Sequence, residues 1–383
     1  MIPKQQQPAV VAAPASHQAN SHGILKQPFE GDEIMDKVVA GEAGWTSSDL
    51  ARTRRWIHEF SPEEAEEIAR AAMFAKERGH TLESLTADDF PLPTVRRRIE
   101  DARAELETGT GLYHFRGVET DGIDKEDLRF IYWGLGLHIG TAVSQSSEGD
   151  YIGDVRDFGT DADMPGGRGY TSNQKLNFHT DNADVVGLFA LRVARSGGLS
   201  MIASSVAIHN ELAVTRPDLL EILYQPFHWY SLNHEALGGP RVYPQPVFTV
   251  QDGHFSCMFS YRQIMSAQKV PETPRLSAMQ EEALEVLNSM AQDDRFCFSF
   301  MFRPGDLQLL NNHVCLHART GFQDYEEPER KRHLLRIWLS VPNSRPLSPD
   351  LKHVYADQAA GAIRGGHPSL TGKRSFQTRS ALA

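Results

Sequence analysis

From about residue 150 onward the chain is cut into short apolar runs by glycine, proline and aspartate. VVGLFALRV, VFTV, HFSCMFSY, FCFSFMF, DLQLLN and HLLRIWLSV are four to nine residues long, too short for buried helices and rich in β-branched and aromatic residues. They predict strands, and Asp252-Gly253 between VFTV and HFSCMFSY predicts a hairpin turn. A series of short strands covers its apolar faces by stacking as a sandwich or closing as a barrel. Two helices are expected to interrupt it, one from Ser204 or Ser205 to about Thr215, the other from the capping box of Ser277 and Gln280 to about Ala291.

The first third reads differently. Residues 1–30 are rich in Gln, Ala, Pro and Ser and are expected to form a flexible lead, because they offer little apolar surface to repay ordering. Residues 31–110 predict a helical extension. In SPEEAEEIARAAMFAKERG, Ser61 is the N-cap, Pro62 takes the first helical position, Glu64 completes a capping box and Gly79 marks the stop. Further helices are expected over 47–60, 94–108 and 124–137, with a strand at GLYHFRGVE. Residues 111–345 are expected to form the β domain, and 346–383 a polar C-terminal tail.

Charge and cysteine content narrow the function. Asp and Glu number 50 against 39 Lys and Arg, a formal charge of -11 that repels nucleic acid and anionic membrane surfaces. The three cysteines, Cys257, Cys297 and Cys315, contain no CxxC pair, and their odd number suits a reduced compartment, so the expected setting is the cytoplasm. The N-terminus has no secretory pattern and no apolar stretch reaches membrane-spanning length. Oligomeric state is left open, since an acidic surface neither demands nor excludes a dimer.

The sharpest chemical signal is NFHTDN. His179 and Asp181 lie two apart, so on extended backbone both side chains leave from one face and can grip one ion. An imidazole, a carboxylate and a second histidine make the facial triad that leaves open positions on Fe(II). In RPGDLQLLNNHVCLHARTGF, either His313 or His317 can supply that second histidine. HExxH is absent, and so is a GxSxG elbow, which argues against a zinc protease and a serine hydrolase. Further on, KRHLLRIWLSV places Arg332, Leu334, Arg336, Trp338 and Ser340 on one face of a strand, the arginine Cα atoms about 13 Å apart by strand rise. Two arginines pointing into a barrel call for anions.

Order and spacing of the His-x-Asp pair, the GGLSMIASSVAIHNEL segment, the PGDLQLLNN turn, the HARTGF box and the RHLLRIWL strand resemble the taurine dioxygenase and clavaminate synthase-like family over roughly residues 110–345. The resemblance implies a double-stranded β-helix, or jelly-roll, mainly β with flanking helices. It also implies Fe(II) as cofactor, with 2-oxoglutarate and dioxygen as cosubstrates. Matching the HARTGF box puts the distal iron ligand on His317. Matching the closing strand puts the distal carboxylate of 2-oxoglutarate on Arg332, with Ser200 in place of the family's usual threonine. Arg336 matches a position that in some members holds the substrate's anionic group, although it can instead share in cosubstrate binding. Asp181 argues against halogenation, since related halogenases lack that carboxylate.

The implied activity is oxidation, most simply hydroxylation, of a C–H bond in a small anionic or amino-acid-like substrate. Desaturation or cyclisation of a secondary metabolite uses the same site. A non-catalytic binding module is the competing class, favoured only by loss of a ligand or of the cosubstrate arginine, and neither is lost. GTDADMPGGRGYTSNQKLNF has the composition of an active-site lid, with Tyr170, Asn173 and Gln174 as candidate substrate contacts. Trp229, Tyr230, Asn233, Tyr261 and Arg262 are candidates for the pocket wall, with core packing as the alternative.

Overall fold

The computed structural model describes residues 38–160, 169–231 and 238–378. The expected lead over 1–30, part of the expected lid and Asn233 lie outside these residues. Among the described residues no helix is long and apolar enough to cross a membrane.

The capping box at Ser61 forms, with Ser61 Oγ accepting from Glu64 N–H (3.2 Å) and Glu64 Oε2 accepting from Ser61 N–H (3.1 Å). It starts the helix Pro62–Glu77, whose Ile68, Ala71, Ala72 and Ala75 are buried on one face. That face joins a cluster with Val95, Ile99 and Leu106 of Val95–Thr108 and Leu128, Ile131 and Leu135 of Lys125–Ile139. The helix expected over 47–60 does not run its full length. Helix Ser47–Arg52 stops at Thr53, which is extended, and strand β1 (Ile57–Glu59) follows. Aromatic and β-branched residues at Trp56 and Ile57 favour a strand, and β1 finds a parallel partner in β2 (Leu112–Arg116).

The remaining strands, in chain order, are β3 (Thr141–Val143), β4 (Ile152–Val155), β5 (Leu176–His179), β6 (Val185–Arg192), β7 (Ser196–Gly197), β8 (Ser200–Ser204), β9 (Phe227–Tyr230), β10 (Val242–Gln245), β11 (Phe248–Gln251), β12 (His254–Cys257), β13 (Cys297–Phe300), β14 (Leu307–Asn311), β15 (Cys315–Arg319), β16 (Phe322–Gln323) and β17 (His333–Ser340). The larger sheet has the order β1-β2-β14-β6-β17-β3, with β4 also on β17, and the smaller has the order β13-β8-β15-β5. The hairpin β11–β12 forms, with positive φ at Asp252 (50°) and Gly253 (79°), but it is a separate two-stranded sheet and joins neither of the larger ones. Helical residues outnumber strand residues, so the chain is mixed rather than mainly β.

Strand β17 shows how the layers stack. Every residue in it is buried. Leu335, Ile337 and Leu339 pack with the N-terminal helices, whereas Trp338, one of the residues alternating with them, joins Ile202, Phe178 and Leu316 of the smaller sheet. The segment expected to be a polar tail is instead part of the body. Leu347, Leu351 and Tyr355 are buried in the core, and Phe376 sits edge-on to Trp133 at 4.9 Å. Arg364 donates to Asp184 at 2.8 Å, so polar composition here reflects buried pairing rather than solvation.

Candidate metal and anion site

β5 and β15 run antiparallel with His179 directly opposite His317. Past this pair the ladder slips: Arg319 pairs with Leu176, so β5 carries one extra residue, a bulge beside the two imidazoles. Asp181 follows β5 in a turn that Asn312 clamps. The Asn312 side-chain oxygen accepts from Asp181 N–H (3.0 Å) and its amide donates to Ala183 C=O (3.0 Å).

These elements bring one ligand atom each of His179, Asp181 and His317 within 4.8 Å of one another. His179 Nε2 lies 3.8 Å from Asp181 Oδ1, and His317 Nε2 lies 3.7 Å from Asp181 Oδ2. His179 Nδ1 is 2.9 Å from the Asn177 carbonyl, which can only accept, so the proton sits on Nδ1 and Nε2 keeps its lone pair for a metal. Burial together with the neighbouring His179 pushes the His317 pKa down to about 3, so its imidazole is neutral and available as a ligand. Burial alone would raise Asp181, but Arg336, His317, His179 and the Trp338 indole outweigh it and hold the carboxyl below its ordinary range. Two imidazole nitrogens and a carboxylate suit a divalent iron. His313 is elsewhere, 2.9 Å from Asp184 in a fully buried pair.

A pocket at this cluster is lined by His179, His317, Ser200, Arg332, Arg336 and Tyr170 among others. Arg332 is buried, and its guanidinium lies over the Phe322 ring at 5.1 Å. One of its terminal nitrogens has no hydrogen-bond partner among the described residues. Burial and the adjacent Arg319 push its pKa down to about 9. A second guanidinium that sequence reasoning did not single out, Arg319, lines the pocket as well and lies 4.7 Å above the same ring. Its Nε and one terminal nitrogen are also without partners among the described residues. Buried, unpaired donors of this kind fit an anion, as a dicarboxylate cosubstrate would supply. Ser200 is buried and donates to Gln308 Oε1 at 2.9 Å.

Arg336 bridges this region to the ligand cluster. Its Nε donates to Gln145 Oε1 (2.6 Å), a terminal nitrogen lies 3.6 Å from Asp181 Oδ2, and Tyr170 stacks on it at 4.5 Å. Asn173 and Gln174 are exposed and lie outside the pocket lining, where their carbonyls accept from Phe322 N–H and from Arg319. Trp229 is core, its indole N–H donating to the Gln245 carbonyl. Gln145 and Arg319 gave no sequence signal of their own, although Arg319 sits inside the HARTGF box.

Comparison with known proteins gives the family and the fold. The Taurine catabolism dioxygenase TauD, TfdA family matches residues 77–338. A protein named FR-33289 synthase from Streptomyces rubellomurinus is 30% identical over 332 residues, 86% of this chain and 98% of its own length. The taurine hydroxylase-like protein SAT17 of Stachybotrys chartarum is 26% identical over 339 residues, covering 85% of this chain and 87% of its own length. Among solved structures, asparagine oxygenase in complex with Fe(II), 3-hydroxyasparagine and succinate superposes with a TM-score of 0.59 at 18% identity, over 74% of this chain and 93% of that one. The non-heme iron oxygenase OrfP with Fe and alpha-ketoglutaric acid gives 0.58 at 14%, over 80% and 99%. The structural likeness speaks for the fold, and the match over most of the sequence for the family: the chain belongs to the TauD/TfdA dioxygenases and is an oxygenase that uses Fe(II), 2-oxoglutarate and dioxygen.

Proposed function

We propose that this enzyme hydroxylates a C–H bond of a small anionic or amino-acid-like molecule, with His179, Asp181 and His317 as the iron ligands and Arg332 holding the distal carboxylate of 2-oxoglutarate, joined by Ser200 once its hydroxyl turns from Gln308. The two larger sheets would then be the two halves of a double-stranded β-helix. When bound, the iron with 2-oxoglutarate and dioxygen supplies oxidative decarboxylation to succinate and carbon dioxide, coupled to oxidation of the substrate.

The observation that carries this reading is that two members of the three-residue cluster, His179 and His317, line one pocket with a buried guanidinium that has an unpartnered nitrogen. The residues of the chain bind and orient. His179 offers Nε2 because Asn177 holds the proton at Nδ1. Trp338 donates to Asp181 Oδ2 and aims that carboxylate. Leu176, Leu188 and Phe302 keep the wall apolar and exclude water. Arg336, steadied by Gln145 and covered by Tyr170, offers positive charge on the pocket surface, which supports an anionic group on the substrate. The hydroxylated asparagine and arginine in the solved neighbours support an amino-acid-like molecule.

Anaerobic titration with Fe(II) and 2-oxoglutarate tests the site, read by the weak visible charge-transfer band of the chelate. The wild type shows the band, and His179→Ala and Arg332→Ala lose or weaken it; no band in the wild type sinks the proposal. A panel of amino acids and small anions scored by succinate release then tests the substrate class.

A further inference from the structure

Arg319 is buried, stands two residues after His317 on β15, and has its guanidinium divided between two tasks. One terminal nitrogen donates to the main-chain carbonyls of Ser172, at 2.7 Å, and Gln174. These carbonyls belong to the segment following Gly169–Thr171, which also carries Tyr170, the ring stacked on Arg336. The other two nitrogens are buried with no partner among the described residues, in the same pocket as Arg332 and over the same Phe322 ring. Asp324 is close enough for its charge to act on both guanidinium groups, but it hydrogen-bonds to neither: its Oδ1 accepts from the main-chain N–H of Arg332 (2.8 Å) and its Oδ2 is buried without a partner among the described residues. Two like charges side by side in a buried pocket, with three N–H-bearing nitrogens left open, are a site built around an anion with several acceptor lone pairs.

Resting on the cosubstrate reading above, we infer that Arg319 is a positioning residue that joins the distal carboxylate of 2-oxoglutarate to the main chain of residues 169–175. Its open nitrogens meet the carboxylate beside Arg332, while its engaged nitrogen holds Ser172 and Gln174. Filling the pocket therefore fixes the guanidinium, and the guanidinium fixes the segment that sets Tyr170 against Arg336 in the substrate half. Cosubstrate binding thereby prepares the substrate wall without any contact between the two molecules. A guanidinium suits the role because its donors point in fixed, diverging directions, so one group can serve two acceptors at once.

The test is hydrogen–deuterium exchange on the anaerobic Fe(II)-loaded protein, with and without saturating 2-oxoglutarate, on the peptide covering 169–176. The Kd of 2-oxoglutarate is taken from the charge-transfer band. In the wild type, 2-oxoglutarate slows exchange in this peptide several-fold and leaves the helix Ala278–Gln292 unchanged. In Arg319→Met the Kd rises about tenfold, the peptide exchanges faster without ligand, and saturating 2-oxoglutarate no longer slows it; a purely structural arginine would not remove that ligand dependence. Unchanged exchange in the wild type overturns the inference by itself, even if the variant fails to fold. So does an Arg319→Met protein with wild-type Kd. Absence of the chelate band in the wild type is a different failure, that of the parent reading.

Discussion

The Trp338 indole N–H donates a 2.8 Å hydrogen bond to Oδ2 of Asp181, across 157 residues of chain. That bond, with the Arg336 guanidinium 3.6 Å from the same oxygen, sets the rotation of the carboxylate toward the two imidazoles. Partners of this kind around metal ligands contribute about 10–100-fold to metal affinity or activity. Trp338→Phe keeps an aromatic ring, though a smaller one, and removes the donor, so Fe(II) or Co(II) titration should show affinity lower by about that factor, with the fold intact by circular dichroism.

The pair Asp184–Arg364 is wholly buried, and Asp184 also meets His313 at 2.9 Å. Removing one member leaves a carboxylate buried without its counter-charge, a loss of about 3–5 kcal/mol. Arg364→Met is expected to cost that much in guanidinium denaturation at pH 7. His313→Ala should likewise lower stability while leaving metal stoichiometry at one, whereas His317→Ala should abolish metal binding.

Gly197 sits at φ 72°, and a Cβ there would lie 2.3 Å from the Gly321 carbonyl oxygen. Left-handed backbone and a main-chain clash together cost about 2–5 kcal/mol. Gly321 precedes Phe322, the ring under both Arg319 and Arg332. Gly197→Ala should therefore lower the melting temperature and also weaken 2-oxoglutarate binding, which titration of the chelate band measures.

His209 is buried against Phe248 and Phe255, 2.9 Å from the Tyr224 hydroxyl, and burial pushes its pKa down to about 4. The folded-state value lies below the unfolded one of about 6.5. Its contribution is therefore complete above pH 6.5, shrinks as pH falls, and is gone once pH passes about 4. The shift corresponds to about 3 kcal/mol. Chemical denaturation at pH 7 and pH 4 should show His209→Gln losing less stability on acidification than the wild type.

Local grammar was legible in the sequence where neighbours in the chain decide the outcome. Ser61 and Ser277 cap the helices they announce, and Asp252-Gly253 turns the hairpin it announces. His179 and Asp181 advertise themselves through their spacing. What stayed hidden depends on partners far away in the chain. Trp56 and Ile57 look helical beside Ser47 until β2 offers a strand some 57 residues on. Arg364 reads as tail polarity until Asp184, 180 residues earlier, accounts for its burial. Arg319 was passed over because the box containing it was read for its histidine, and the carbonyls it holds lie about 145 residues upstream.

The bulge in β5 bears on how such a protein can vary. His179 and His317 stay in phase across the ladder, while by the next pair, two residues along β15 and three along β5, the pairing has shifted by a step at Leu176. The sheet thus has a built-in vernier between the His179–His317 pair and the segment that precedes it. A length change upstream of Leu176 can be taken up at that step instead of being passed along the strand, so the pocket wall can be shortened, lengthened or exchanged while the two imidazoles keep their facing positions.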